Sequence, residues 1–173
     1  MPKPLLLLDV DGPLNPFAAK PTQRPDGYET HRLSPAGWTA KPLRVWLNPK
    51  HGPMLLAIAD MVDLVWATTW RDDANRIIAP LIGLPELPVI QVKQPGFGPP
   101  LAQIWKRDAV EEYADGRAFA WFDDDFVQPG DIEWAEKRTE AGLPTLLVPI
   151  NPTVGIVQAD VDRVADWARE ASP

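Results

Sequence analysis

The chain contains no cysteine, so neither a disulfide framework nor a thiolate metal site is open to it, and thiol usage says nothing of its compartment. Histidine is almost as scarce, with only His31 and His51. Both are expected to be surface or hairpin residues rather than metal ligands, which leaves oxygen donors as the place to look for a metal site. No apolar run approaches the roughly 20 residues that span a bilayer, and the first residues lack the length and cleavage pattern of a secretory leader. A soluble, cytoplasmic protein with no membrane partner is expected. Positive charge is in deficit, with 17 Lys and Arg against 24 Asp and Glu and a net charge of -7. That balance argues against generic binding to nucleic acid. Fixed-period repeats and long Gly/Ser linkers are also missing, and a length of 173 residues suits one domain over residues 1–173.

Proline, by contrast, is abundant, with 21 residues that cluster at turns such as Pro85, Pro88, Pro95, Pro99 and Pro100 and so punctuate elements. Between them, short apolar runs alternate with segments of helical period. Residues 5–10 read as a buried strand, 54–61 as a helix, 64–68 as a second strand, and 72–81 as a helix after an Asp cap. A short strand at 88–92 follows, then a helix ending near Ala114 with Gly116 as its stop, and a strand at 117–122. Residues 132–141 read as a helix closed by Gly142, and 145–148 as a fifth strand stopped by Pro149. Val157, Val161, Val164, Ala165 and Ala168 share one face of a last helix. Five strands alternating with helices predict a parallel α/β sheet.

Open sheets of this kind bind ligands beyond the carboxyl ends of their strands. The first strand ends in Asp9-Val10-Asp11-Gly12, the second in Thr68-Thr69 and the fourth in Asp123-Asp124-Asp125. Carboxylates gathered there repel one another unless a cation neutralises them, and hard oxygen donors without cysteine suit Mg²⁺.

These residues resemble the haloacid-dehalogenase (HAD) superfamily of hydrolases. The hydrophobic strand followed by Asp9-Val10-Asp11-Gly12 is similar to its first signature. Thr68, Lys106 and Asp123-Asp124 match the later signatures in order. The stretch 64–75 with Trp121-Phe122-Asp123-Asp124-Asp125 looks closest to the HAD domain of Swiss army knife RNA-repair proteins. One departure is Pro13, which follows Asp-Gly where many members carry Thr or Val. The resemblance implies a HAD-like Rossmannoid three-layer α/β/α sandwich with a five-stranded parallel sheet in the order 5-4-1-2-3 and a minimal cap or β-hairpin flap. It also implies a Mg²⁺-dependent phosphatase that hydrolyses phosphate monoesters through an aspartyl-phosphate. Asp9 is then the nucleophile and Asp11 the general acid and base, while Thr68 and Lys106 hold phosphoryl oxygens. The metal falls to Asp9, the backbone carbonyl of Asp11, Asp123 and, as a supporting or alternate ligand, Asp124. Asp11 also separates phosphatases from dehalogenases in this family.

The segment 14–52 is expected to be the flap or cap insertion. It carries six basic residues against two acidic ones, a local balance of +4 within a chain of net -7. Residues 29–33 and 43–47 could form its hairpin. Interleaved with the charges are Phe17, Tyr28, Trp38 and Trp46, a mixture suited to phosphate attraction and base stacking. Arg32 and Arg44 on this segment, with Thr69, Trp70 and Arg71 after the second strand, are the expected substrate-binding residues. The expected partner is a phosphorylated small molecule or a nucleic-acid terminus.

Each feature also has a plainer meaning. Asp-Gly is a common turn, Thr68 and Thr69 suit any half-buried strand, and a helical lysine such as Lys106 is usually solvated. Asp123 to Asp125 could cap a helix, a basic hairpin could merely shield the site, and Trp66, Trp70, Trp105 and Trp121 are expected in the core and pocket walls. Two other functions remain open on the residues alone: a metal-dependent nuclease on a related α/β fold, and a non-catalytic binding domain that keeps the fold.

Overall fold

In chain order the computed structural model contains β1 (Leu5–Leu8), β2 (Glu29–Leu33), β3 (Leu43–Leu47), α1 (His51–Leu56), β4 (Asp63–Trp66), a π-helical turn (Ala74–Ile78) and α2 (Ala79–Ile82). α3 (Ala102–Ala114), β5 (Phe119–Asp123), α4 (Pro129–Glu140), β6 (Thr145–Pro149) and α5 (Gln158–Ala171) complete it. The structure describes residues 2–92, 102–126 and 129–171, with the side chains of 102–105 and 129 left aside. The expected turn prolines Pro95, Pro99 and Pro100 and the Trp105 side chain lie outside the described residues.

The four leucines of β1 make it the centre of the sheet. Successive side chains of a strand point to opposite faces, and all four are fully buried. Leu6 and Leu8 join Leu64, Trp66, Ala120 and Phe122 in one core, closed by Leu55 of α1, Ile82 of α2 and Val161 and Val164 of α5. Leu5 and Leu7 join Val65, Phe119 and Trp121 in a second core, closed by Val110 and Ala114 of α3 and by Trp134 of α4. Helices therefore cover both faces of a parallel sheet, as a run of apolar residues without polar alternation requires.

β1 pairs in parallel with β4 and with β5, and β5 with β6. The sheet thus has four strands in the order β4-β1-β5-β6, not the expected five in the order 5-4-1-2-3. The segment expected as the third strand, 88–92, makes a single bridge between Val89 and Trp66. Its prolines explain this. Pro85 and Pro88 have no N–H to give a ladder, so Pro88 only accepts from Trp66 N at 2.9 Å, and Val92 N turns back onto Ile90 O at 2.9 Å.

The expected helix over 72–81 is also different. Pro80 cannot donate back to the carbonyl of Arg76, and the backbone widens into the π-helical turn, where Ala79 N–H reaches back five residues to Ala74 O. The stretch is helical from residue 72 to 82, and Asp73, where the π-helical turn begins, makes no side-chain cap bond. Other helix ends match their signals, with Gly116 and Gly142 at positive φ after α3 and α4. Val157 precedes α5 and is exposed, whereas Val161, Val164, Ala165 and Ala168 form the buried face. The hairpin forms as expected, with β2 antiparallel to β3 and Arg32 opposite Arg44. Trp66, Trp70 and Trp121 are buried. Among the described residues no helix is long and apolar enough to cross a membrane.

His51, expected near the surface, is only 1% exposed. It starts α1 against the Tyr28 ring, and its Nε2 lies 3.2 Å from Ile156 O. Burial pushes its pKa down to about 4, the contact with Ile156 acting the other way. The fold therefore holds the neutral ring, whereas the unfolded chain takes up a proton below an ordinary value of 6.5. The corresponding stability is intact above that value and is lost as pH falls towards the folded one. Relative to His51→Gln, the native protein should lose up to about 3 kcal/mol more stability over this window, read from urea midpoints. Parallel pH profiles for the two proteins would overturn the assignment.

Candidate active site

The register of the sheet builds the site. Leu8 lies beside Phe122, so the next residues on two adjacent strands, Asp9 and Asp123, leave the sheet side by side. Asp9 N–H still donates to Phe122 O at 3.1 Å. On the other flank Leu8 pairs with Trp66, and Thr68 follows two residues later. Asp9, Thr68 and Asp123 are all buried.

Lys106, on the first half of α3, reaches over the strand ends. Its Nζ donates to Asp9 Oδ2 at 2.7 Å and to Asp123 Oδ2 at 2.8 Å, and the residue is 5% exposed. Burial alone would lower the pKa of this ammonium, but Asp9 and Asp123 more than offset it and raise it above the ordinary value. Asp124, half-buried, completes a group in which Asp9, Asp123 and Asp124 each offer an oxygen within 4.8 Å of the others. Among the described residues, the Lys106 ammonium faces these three carboxylates. Burial and the neighbouring Asp9 push Asp123 up to about 7 and Asp124 up to about 6. An all-oxygen donor set of this kind fits a hard divalent cation.

Asp11 does not join that group through its side chain. Its Oδ1 accepts from Asn15 Nδ2 at 2.8 Å and its Oδ2 from Trp70 Nε1 at 2.9 Å. Burial and Asp9 raise its pKa, against the two hydrogen bonds. The turn between Asp11 and Asn15 needs Gly12, which sits at φ +90° with Asp124 so close that an added Cβ would lie 2.5 Å from its carboxylate. Any side chain there would push the end of β1 away from the end of β5.

A cavity of about 1100 Å³ opens beside Asp11, between the segment after β4 and the hairpin. Of the expected substrate-binding residues, Thr69, Trp70, Arg71 and Arg44 line it. Arg32 does not; it is exposed on the hairpin surface. Thr68 Oγ1 accepts from Trp70 N at 3.3 Å, and Thr69 is exposed. Arg71 adopts φ +51°, a left-handed conformation uncommon outside glycine and often found at functional sites.

Of the aromatics expected to stack on bases, Phe17 and Trp38, half exposed, stand on the wall of the cavity. Two other lining residues, Asp73 and Asn15, were not anticipated from the sequence. Asp73 is buried and accepts Ala36 N–H at 2.6 Å, which ties the turn of the hairpin to the segment after β4. Asn15 holds Asp11. An Asn or Asp beside a turn ordinarily reads as a local turn former, and only tertiary contacts distinguish these two.

A family model described as the HAD domain in Swiss Army Knife RNA repair proteins matches residues 5–161. No curated protein matches the chain.

Removing the ammonium while keeping the stem's bulk isolates its role. Lys106→Met should cost the metal-free protein about 3–5 kcal/mol, since it strips the buried Asp9 and Asp123 of this ammonium; urea unfolding in EDTA measures it. A loss below about 1 kcal/mol, the level of an exposed ion pair, would contradict the geometry.

Proposed function

Because the chain belongs to the family of HAD domains in Swiss Army Knife RNA repair proteins, and so to the HAD-type hydrolases, we propose that it is a Mg²⁺-dependent phosphomonoesterase acting on nucleotide or nucleic-acid ends. The observation that carries this reading is the Lys106 ammonium, hydrogen-bonded at once to Asp9 and Asp123 at the ends of adjacent strands. A phosphatase of this type needs a carboxylate nucleophile, a neighbouring carboxylate for the metal and a fixed positive charge between them. A metal-dependent nuclease would use the carboxylates but leave Lys106 and Thr68 without a task.

In this reading Asp9, Asp123, Asp124 and the Asp11 carbonyl hold Mg²⁺, which supplies charge neutralisation for an anionic ester next to an anionic nucleophile. The Asp9 carboxylate attacks phosphorus, the bond to the leaving oxygen breaks, and Asp11 gives that oxygen its proton. In the second half Asp11 takes a proton from the attacking water, the bond between Asp9 and phosphorus breaks, and phosphate leaves. Lys106 keeps Asp9 oriented and offsets negative charge as it shifts between carboxylate and phosphoryl oxygens. Thr68 Oγ1 already accepts the Trp70 N–H, so its own O–H remains to donate to a phosphoryl oxygen.

The cavity supports the substrate class. Phe17 and Trp38 offer exposed ring faces for a planar base. Arg44 lies over the Trp46 ring with its guanidinium carbon 3.7 Å from the centroid, and its Nη1 has no hydrogen-bond partner among the described residues. A cation held flat on an indole beside the cavity suits a phosphate of a nucleic-acid backbone. The β2–β3 hairpin serves as the minimal cap, on the same domain as the nucleophile.

Phosphomonoesters, including 3′- and 5′-phosphorylated oligonucleotides, should be hydrolysed with Mg²⁺ and not in EDTA, and Asp9→Asn should abolish both turnover and trapping by beryllofluoride. Turnover retained in Asp9→Asn would remove the nucleophile from this scheme. Arg44→Glu should weaken oligonucleotide binding by about tenfold, or 1.4 kcal/mol, while hydrolysis of a small ester changes little and Arg32→Glu has a smaller effect on both. Equal losses on the two substrates would instead make Arg44 a support of the hairpin.

A further inference from the structure

We propose that Asn15 and Trp70 are positioning residues that lock the Asp11 carboxylate for proton transfer, and that Asn15 makes this lock depend on strand β3 of the hairpin. The inference rests on Asp11 being the general acid and base. A carboxylate on a two-carbon stem swings about two bonds, and one hydrogen bond leaves one rotation free. Asp11 instead receives one donor on each oxygen, from two separate parts of the chain. Each oxygen keeps a second lone-pair site for the proton in transit.

Both donors are themselves fixed. Trp70 is 8% exposed and packs in the core that covers one face of the sheet. Asn15 is 5% exposed, its N–H donates to Val10 O at 2.9 Å, and its carbonyl accepts from Gly12 N at 2.9 Å and Phe17 N at 2.7 Å. Its side chain has a forced orientation. Asn15 Oδ1 lies 3.1 Å from Trp46 N, a backbone group that only donates. The amide oxygen must therefore face β3, which leaves the amide N–H₂ for Asp11. One planar group thus links a backbone N–H of β3 to the carboxylate that moves the proton. Leu43, Arg44 and Val45 of the same strand line the cavity. A substrate that presses on this wall and one that leaves it displaced present Asp11 in different orientations.

The test separates proton transfer from general damage. Trp70→Phe removes the donor and keeps a ring; Asn15→Asp keeps the shape and the acceptor for Trp46 but has no N–H for Asp11. An alkyl phosphate needs its leaving oxygen protonated, whereas para-nitrophenolate departs as an anion. Assayed with Mg²⁺, both variants should lose about tenfold or more in kcat/KM on the alkyl ester. On para-nitrophenyl phosphate kcat/KM should stay within about twofold while kcat falls and a burst of nitrophenolate appears, because water attack on the aspartyl-phosphate also needs Asp11. Equal falls in kcat/KM on both esters, or no fall on either, would overturn the proposal. Asp11→Asn should show the same split more strongly. If it does and the two variants do not, positioning by Asn15 and Trp70 fails while the general-acid reading stands. If Asp11→Asn shows no split, or the native protein hydrolyses neither ester, both fall together.

Discussion

A buried ammonium is the condition on which the rest of the molecule depends. Two strand ends cannot place Asp9 and Asp123 side by side inside leucine and phenylalanine cores without a compensating charge, because the cost of burying an unpaired carboxylate exceeds what the packing returns. Lys106 supplies that charge from α3, one layer away from the sheet, at 2.7 Å and 2.8 Å. The bridge joins β1, β5 and α3, so the sheet order and the packing of the helix serve the site as well as the core. Among the described residues, Asp124 adds a third carboxylate to the pair, an all-oxygen group of the kind that takes a hard cation.

How much of this could be read from the residues varies with the kind of interaction. β1 is legible because a leucine run ending in Asp9-Val10-Asp11-Gly12 can hardly be anything but a buried strand meeting a polar edge. Asp123 is legible for the same reason. The segment 88–92 went astray at proline, where a missing N–H counted for more than the apolar pattern, since Pro88 broke the ladder; the stretch 72–81 is helical as expected, and Pro80 changed only its winding. Lys106 resembles any solvated helical lysine, and only the family resemblance singled it out. Arg32 and Arg44 carry the same charge and stand opposite each other in the hairpin; which one borders the cavity is set by how the hairpin lies, not by its sequence. Asn15 and Asp73 were hidden because their partners lie in distant segments.

The site has two levels of rigidity. Asp9, Asp123 and Thr68 sit on or just beyond strands of the central sheet and are fixed by its ladder. Asp11, by contrast, is held by side-chain hydrogen bonds from Asn15 and Trp70, and one of these leads to the hairpin. The hairpin in turn is tied down by the Asp73 bond to Ala36. The proposed nucleophile and metal ligands thus belong to the rigid frame, while the proposed proton-transfer group shares its restraints with the hairpin that borders the cavity.

The loop before α5 is a fastener for the opposite end of the chain. Val154 O accepts the Tyr28 hydroxyl at 2.7 Å, Ile156 N donates to Pro13 O at 2.8 Å, Ala18 N donates to Pro152 O at 3.1 Å, and Ile156 O faces His51. Residues 13–51 are synthesised long before these carbonyls and amides exist. On the ribosome, the turn after β1 and the base of the hairpin must wait until residues 152–156 have been made before their anchors exist, since chains grow from the N-terminus. A nascent chain stalled short of residue 151 would hold β1 but not a closed roof over it.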